Sequence, residues 1–127
     1  MKRGIADTSI FVAQEVGREL GELPEQIAVS VITAAELELG VLRAQDTDTR
    51  ARRLATLSRV HGAYPLLPID SETASCFARI AAHELDAGRK LRRHDTWIAA
   101  TALRHNVAVV TQDSDFGAFS LVTVIRA

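Results

Sequence analysis

Residues 94–113 read HDTWIAATALRHNVAVVTQD, and two structural periods lie in that one stretch. From His94 to His105 the spacing is helical, with Trp97, Ile98, Thr101 and Leu103 near one side. Val107–Thr111 then runs as a valine-rich strand. A helix feeding a β-branched strand through a minimal connection is a unit of an alternating α/β chain. The stretch also carries an acid near each end. Asp95 falls in the first turn of the helix, and Asp113 follows the strand by two residues.

The same alternation extends outward. Toward the start of the chain, Gly4-Ile5-Ala6 reads as a short strand ending at Asp7, and Thr8 to about Gln14 as a helix. Ile27–Ile32 is a β-branched run and predicts a second strand. Thr33 to Ala44 has helical spacing, with Ala34, Leu37, Val41 and Ala44 on one face. Asp48–Val60 predicts a further helix, with Ala51, Leu54 and Leu57 or Ala55 facing inward. Leu66–Ile69, between Pro65 and Pro68, is a short strand or an extended connection. Ser71–Ala87 is the clearest helix, with Phe77, Ile80, Ala81, Glu84 and Leu85 recurring on one side and Gly88 as its stop. Leu121–Ile125 predicts the last strand. No repeat, low-complexity segment or linker interrupts the 127 residues, so one domain over 1–127 is expected. The fold class is α/β, with a central, mainly parallel sheet.

Composition excludes several classes. A formal net charge of −1 rules out a polycation, so contact with nucleic acid needs a local patch. Arg50, Arg52, Arg53 and Arg59 form one basic stretch, and Arg89, Lys90, Arg92 and Arg93 a denser one. Aromatics are 5% of the chain, too few for an extended base-stacking platform. A single cysteine, Cys76, excludes an intramolecular disulfide and a cysteine-built zinc site, and suits a small buried apolar residue. The longest apolar run, near Ile27–Ala35, contains Ser30 and Thr33 and is too short to span a bilayer. Residues 1–15 lack the pattern of a signal peptide, which makes the cytoplasm the expected location, without membrane attachment.

The candidate site is built from acids. In a doubly wound sheet the strand ends and following helix starts share one rim, and ligands bind there. Asp7 ends the first strand, Glu36 is expected in the first turn after the second, Asp95 opens its helix, and Asp113 follows Val107–Thr111. Each alone has an ordinary structural role. Thr33-x-x-Glu36 has the form of a capping box, Asp7 and Asp95 suit helix N-termini, and Asp113 and Asp115 suit a turn. Four on one rim would repel, and a divalent cation relieves that repulsion. An all-oxygen set favours Mg²⁺ or Mn²⁺ over zinc. Such an ion makes a bound water nucleophilic and steadies charge on phosphate, which is the chemistry of phosphodiester hydrolysis.

Four segments resemble the motifs of the PIN-domain family, and in particular VapC-type toxins: Ile5-Ala6-Asp7-Thr8-Ser9; Ser30 to Leu37 with Gly40; His94 to Leu103; and Val109 to Phe116. They cover essentially the whole chain in the family's order. The resemblance implies a PIN-like three-layer α/β/α sandwich and a Mg²⁺- or Mn²⁺-dependent endoribonuclease. It also implies a homodimer and neutralisation by a VapB-type antitoxin. Asp7, Glu36, Asp95 and Asp113 would then be both the catalytic set and the metal ligands. Asp113 is favoured over Asp115 as the fourth acid, being closer to the strand end. Ser9 and Thr111 match the family's hydroxyl positions, with a role in orienting a water or a carboxylate. Arg89, Lys90, Arg92 and Arg93 precede Asp95 and are expected to meet the RNA backbone. Trp97 is expected in the core or a dimer interface, and His94 is the one histidine beside a candidate acid.

The antitoxin is expected to insert a cation, an arginine, among the acids and to cover apolar surface on the helices starting at Thr8 and Thr33, including Phe11, Val12 and Leu39. Competing readings are a PIN-like domain that binds RNA or a partner without cutting it, and a deoxyribonuclease with similar site chemistry. A phosphorylation receiver is excluded. It needs a lysine after its last-but-one strand and paired acids after its first, whereas the only lysines here are Lys2 and Lys90.

Overall fold

The computed structural model describes residues 2–127, with 117 and 118 described by backbone alone. Five strands, β1 (Arg3–Ala6), β2 (Gln26–Ser30), β3 (Leu66–Leu67), β4 (Ala108–Thr111) and β5 (Val124–Arg126), form one sheet in the order β3-β2-β1-β4-β5. Every pairing is parallel. The helices are α1 (Thr8–Glu15), α2 (Val31–Leu42), α3 (Thr47–Ala63), α4 (Ser71–Asp86) and α5 (Arg93–Arg104), and a 3₁₀ turn spans Ser114–Ala118.

Alternation along the strands divides the core in two. Ile5 and Val109 point to one face, where they pack with Cys76, Ile80, Ile98 and Ala102 of α4 and α5. Ala6, Val29 and Val110 point to the other, against Ile10, Phe11, Leu37, Val41, Leu57 and Val60 of α1, α2 and α3. The expected three-layer α/β/α architecture follows. Both faces of the central strands are covered, which is why they read as continuous apolar runs.

Several boundaries and faces differ from the sequence reading. Strand β2 ends at Ser30, not Ile32, and Ser30 caps α2 by accepting the Ile32 amide at 3.0 Å. The Thr33-x-x-Glu36 capping box is therefore not formed: Thr33 is buried inside the helix and Glu36 stands in its second turn, not its first. In α3 the inward residues are Thr56, Leu57 and Val60. Ala51, Leu54 and Ala55 face outward, because the helix packs through the side that carries Thr56, Leu57 and Val60. Leu85 of α4 is also exposed, and Glu84 takes the buried place beside it. Strand β5 is confined to Val124–Arg126, the residues opposite Val109–Thr111 of β4, so Leu121 stays outside the ladder and is exposed. Phe11 is fully buried and packs against Tyr64, which removes it from any partner surface.

Helix α4 stops as expected. Gly88 adopts φ +77°, its amide bonds to Leu85 O at 3.0 Å, and the Arg89 amide bonds to Glu84 O at 2.9 Å. That crossed pair satisfies the last carbonyls and needs the left-handed conformation glycine adopts without strain. Cys76 is buried, and Trp97, half-buried, stacks on Phe77 with ring centroids 4.0 Å apart. Among the described residues, no helix is long and apolar enough to cross a membrane.

Candidate active site

The parallel strands all end at one rim, and the connections leaving β1, β2 and β4 carry Asp7, Glu36 and Asp113 to it. Asp95 reaches the same place from the first turn of α5. Asp7 is the N-cap of α1 and is 5% exposed. Its Oδ2 accepts from Ser9 Oγ at 2.8 Å, from Thr111 Oγ1 at 2.9 Å and, weakly, from the Ser9 amide at 3.4 Å. All three bonds fall on Oδ2. Among the described residues nothing bonds Oδ1, so one oxygen is fixed in orientation and the other is left for a ligand.

The two hydroxyl residues named from sequence thus both stand on Asp7. Thr111 does more: its Oγ1 also accepts the Asp113 amide at 2.9 Å, which ties the first acid to the backbone of the fourth. Ser9 Oγ accepts the Gln112 amide at 2.9 Å and adds a second tie between α1 and the segment after β4.

Glu36 is positioned by a residue the sequence reading missed. Thr8 Oγ1 donates to Glu36 Oε1 at 2.7 Å and lies 3.1 Å from Thr33 Oγ1. The available signal was the Asp7-Thr8-Ser9 run, where a second hydroxyl follows the acid directly. The other Glu36 oxygen lies 3.4 Å from His94 Nδ1, so His94 meets a candidate acid across the rim.

Asp95 feels the charge of the other three acids. Its carboxyl is pushed up to about 6, first by burial and then by the charge of Asp7, with Asp113 and Glu36 adding to the push. Arg92, whose Nη1 lies 3.5 Å from Asp95 Oδ2, opposes the shift. The other three acids named from sequence, Asp7, Asp113 and Glu36, therefore all act on the Asp95 carboxylate. Asp115 stands at the solvent side: its side chain is 71% exposed, and its Oδ2 lies 3.5 Å from Arg92 Nη2. Asp113 caps the 3₁₀ turn through Oδ1, which accepts the Asp115 amide at 2.9 Å.

The basic stretch divides. Arg89 is engaged within the fold: its Nε and Nη2 bond the two oxygens of buried Glu84 at 2.9 and 2.5 Å, and Nη2 also reaches Ser120. Arg92 is occupied by Asp95 and Asp115. Lys90 and Arg93 are exposed, and among the described residues no ion pair holds either.

The donors at the rim are carboxylate and hydroxyl oxygens, with the His94 imidazole beside Glu36. Among the described residues no three His, Cys, Asp or Glu side chains stand close enough to grip one ion together. The site is a looser bowl of negative charge, suited to a hard cation that keeps part of its water shell.

The PIN domain family profile matches residues 5–120, which contain all four acids. Ribonuclease VapC5 of Mycobacterium tuberculosis is 47% identical over 97% of this chain and 94% of its own length. Ribonuclease VapC4 of the same organism is 38% identical over 98% and 97%. A solved structure of VapBC-5, a member of the VapBC family of toxin–antitoxin systems from Mycobacterium tuberculosis, shares the fold with a TM-score of 0.89, at 43% identity and 100% coverage of both chains. The chain belongs to the PIN-domain family and, within it, to the VapC proteins.

Proposed function

We propose that this protein is an endoribonuclease toxin that hydrolyses RNA phosphodiester bonds with Mg²⁺ or Mn²⁺, and that a VapB-type antitoxin neutralises it. One observation carries the reading: Asp7, Glu36 and Asp113, from three connections of the sheet, all press their charge on Asp95. The full-length likeness to proteins named ribonuclease VapC supports it.

Asp7, Asp95, Glu36 and Asp113 would hold the ion, as carboxylate oxygens suited to a hard divalent cation. When bound, the ion supplies an acidified water and offsets charge on the phosphate. The protein's own part is orientation. Ser9 and Thr111 fix the Asp7 carboxylate, and Thr8 fixes Glu36. Glu36, with His94 beside it, would take a proton from the attacking water and pass one to the departing oxygen of the phosphodiester. Lys90 and Arg93 are the side chains left to meet the RNA backbone.

The antitoxin would cover the outer side of α1 and α2, where Val12, Val16, Leu39 and Leu42 are 43–66% exposed, and would set an arginine among the acids. A homodimer and a cytoplasmic location belong to the same proposal. The half-buried stack of Phe77 and Trp97 is apolar surface that a second copy would cover.

The test is RNA cleavage by the purified chain with Mg²⁺ or Mn²⁺, with chelator, and by Asp7→Asn. Cleavage is expected only in the first case. Cleavage that survives both chelator and the substitution would refute the mechanism.

A further inference from the structure

The turn that carries Asp113 is held from outside the motif that contains it. Arg126, at the end of β5, pairs in register with Thr111, so its side chain emerges where β4 ends and the turn begins. Its Nη1 donates to Asp113 O and its Nη2 to Ser114 O, the latter at 2.8 Å. A guanidinium fork matches two successive carbonyls and can bond both at once, here at the exposed edge of the sheet. The strand end that presents Arg126 is itself tied down. The Ala127 amide bonds to Thr111 O at 3.0 Å, and Gln112 Nε2 donates to Ala127 O at 2.8 Å and to Glu19 O at 3.1 Å. Arg92 holds the far side of the turn through Asp115 O at 3.2 Å, but it also touches the acids. Among the described residues, Arg126 bonds the turn through backbone carbonyls alone.

We propose that Arg126 is a positioning residue for the fourth acid: by clamping the Asp113 and Ser114 carbonyls it fixes the turn that aims the Asp113 carboxylate into the rim. The inference rests on the reading of Asp113 as a site residue. Lysine would serve poorly in its place, since an ammonium is a point charge that satisfies one carbonyl at a time.

The experiment measures Mn²⁺ affinity of the purified protein without RNA, amide exchange at Asp115 and Phe116, and RNA cleavage, for wild type, Arg126→Ala, Arg126→Lys, Asp113→Asn and the Ala–Asn double variant. Arg126→Ala is expected to weaken Mn²⁺ binding about fivefold, to speed exchange at Asp115, and to lower kcat/KM about tenfold, a loss in keeping with small misplacement of a site group. Arg126→Lys should fall between, and it carries the test should Arg126→Ala fail to fold. On the Asp113→Asn background Arg126→Ala should add no further loss of Mn²⁺ affinity, because both act through one carboxylate. Equal losses on both backgrounds, or an impaired Asp113→Asn beside a normal Arg126→Ala, would overturn the inference alone. Unchanged Mn²⁺ affinity and cleavage in Asp113→Asn would overturn it together with the reading of Asp113.

Discussion

Glu84 and Asp95 stand on neighbouring helices, both largely screened from water, and their surroundings drive them in opposite directions. The Arg89 guanidinium holds the Glu84 carboxyl below the usual carboxylate range against the opposing effect of burial. Asp95 is driven above it, to about 6, by burial and by Asp7, with Asp113 and Glu36 adding and Arg92 opposing from 3.5 Å. The first acid is neutralised inside the fold by a two-pronged bond. The second sits among like charges with one cation, Arg92, that it shares with Asp115. A paired acid stabilises the fold it sits in, whereas a gathered set costs stability until something positive arrives.

Breaking each side of that contrast should give unlike results. Asp95→Asn is expected to lower RNA cleavage about a thousandfold, the scale at which one charge-stabilising group is lost from a site. It should also raise the melting temperature of metal-free protein at neutral pH by a few degrees, since it removes repulsion. Glu84→Gln should do the reverse: a melting temperature lower by roughly 5 °C, as expected when a buried pair loses one charge, and cleavage within about threefold of wild type. Calorimetry and initial rates on the two variants check both. A destabilised Asp95→Asn with intact cleavage would dissolve the comparison.

The pH dependence of stability sharpens it. Glu84 has a lowered folded pKa, so its contribution is full above about 4.5, its unfolded value, and is lost as pH falls through the folded value. Asp95 has a raised one, so the native state binds the extra proton between 3.8 and about 6, and stability falls as pH rises through that window. Asp95→Asn should flatten the fall between pH 4 and 6 and leave the acid limb in place, whereas Glu84→Gln should weaken the acid limb. Denaturant melts across pH 3–8 on metal-free protein would show it.

The smallest effect separates two acids two residues apart. Asp113→Asn should cost far more cleavage than Asp115→Asn, for which a change within about threefold is expected, because Asp115 is exposed at the solvent side and sits on Arg92. Comparable losses would move the fourth acid to Asp115.

The four acids were legible in the sequence because their places are set by element ends. Asp7 and Asp113 follow apolar strands, and Asp95 opens a helix with strong periodicity. Glu36 was placed on the right rim but in the wrong turn. Ile27 to Ile32 is uniformly apolar apart from Ser30, so periodicity does not mark where strand gives way to helix, and Ser30 rather than Thr33 took the cap. In α3, Leu54 and Leu57 fit a helical face equally well, and only packing decided that Leu57 turns inward. Arg89 read as part of a basic patch because the run 89–93 is basic throughout. The sign of its real partner was Glu84, a charge on the apolar side of α4, which needs a cation once buried. Thr8 and Arg126 act through contacts across 28 and 12–13 residues of chain, and no local pattern announces such pairs.

The central claim is that these acids are gathered for a cation. It is tested most directly by the melting temperature of metal-free wild type and Asp95→Asn across one Mn²⁺ titration at neutral pH. A ligand that binds only the native state raises stability with the logarithm of its concentration. The account predicts that Asp95→Asn starts higher without metal, that wild type climbs with Mn²⁺ while the variant stays nearly flat, and that the two curves cross. Parallel curves, or a wild type indifferent to Mn²⁺, would contradict it.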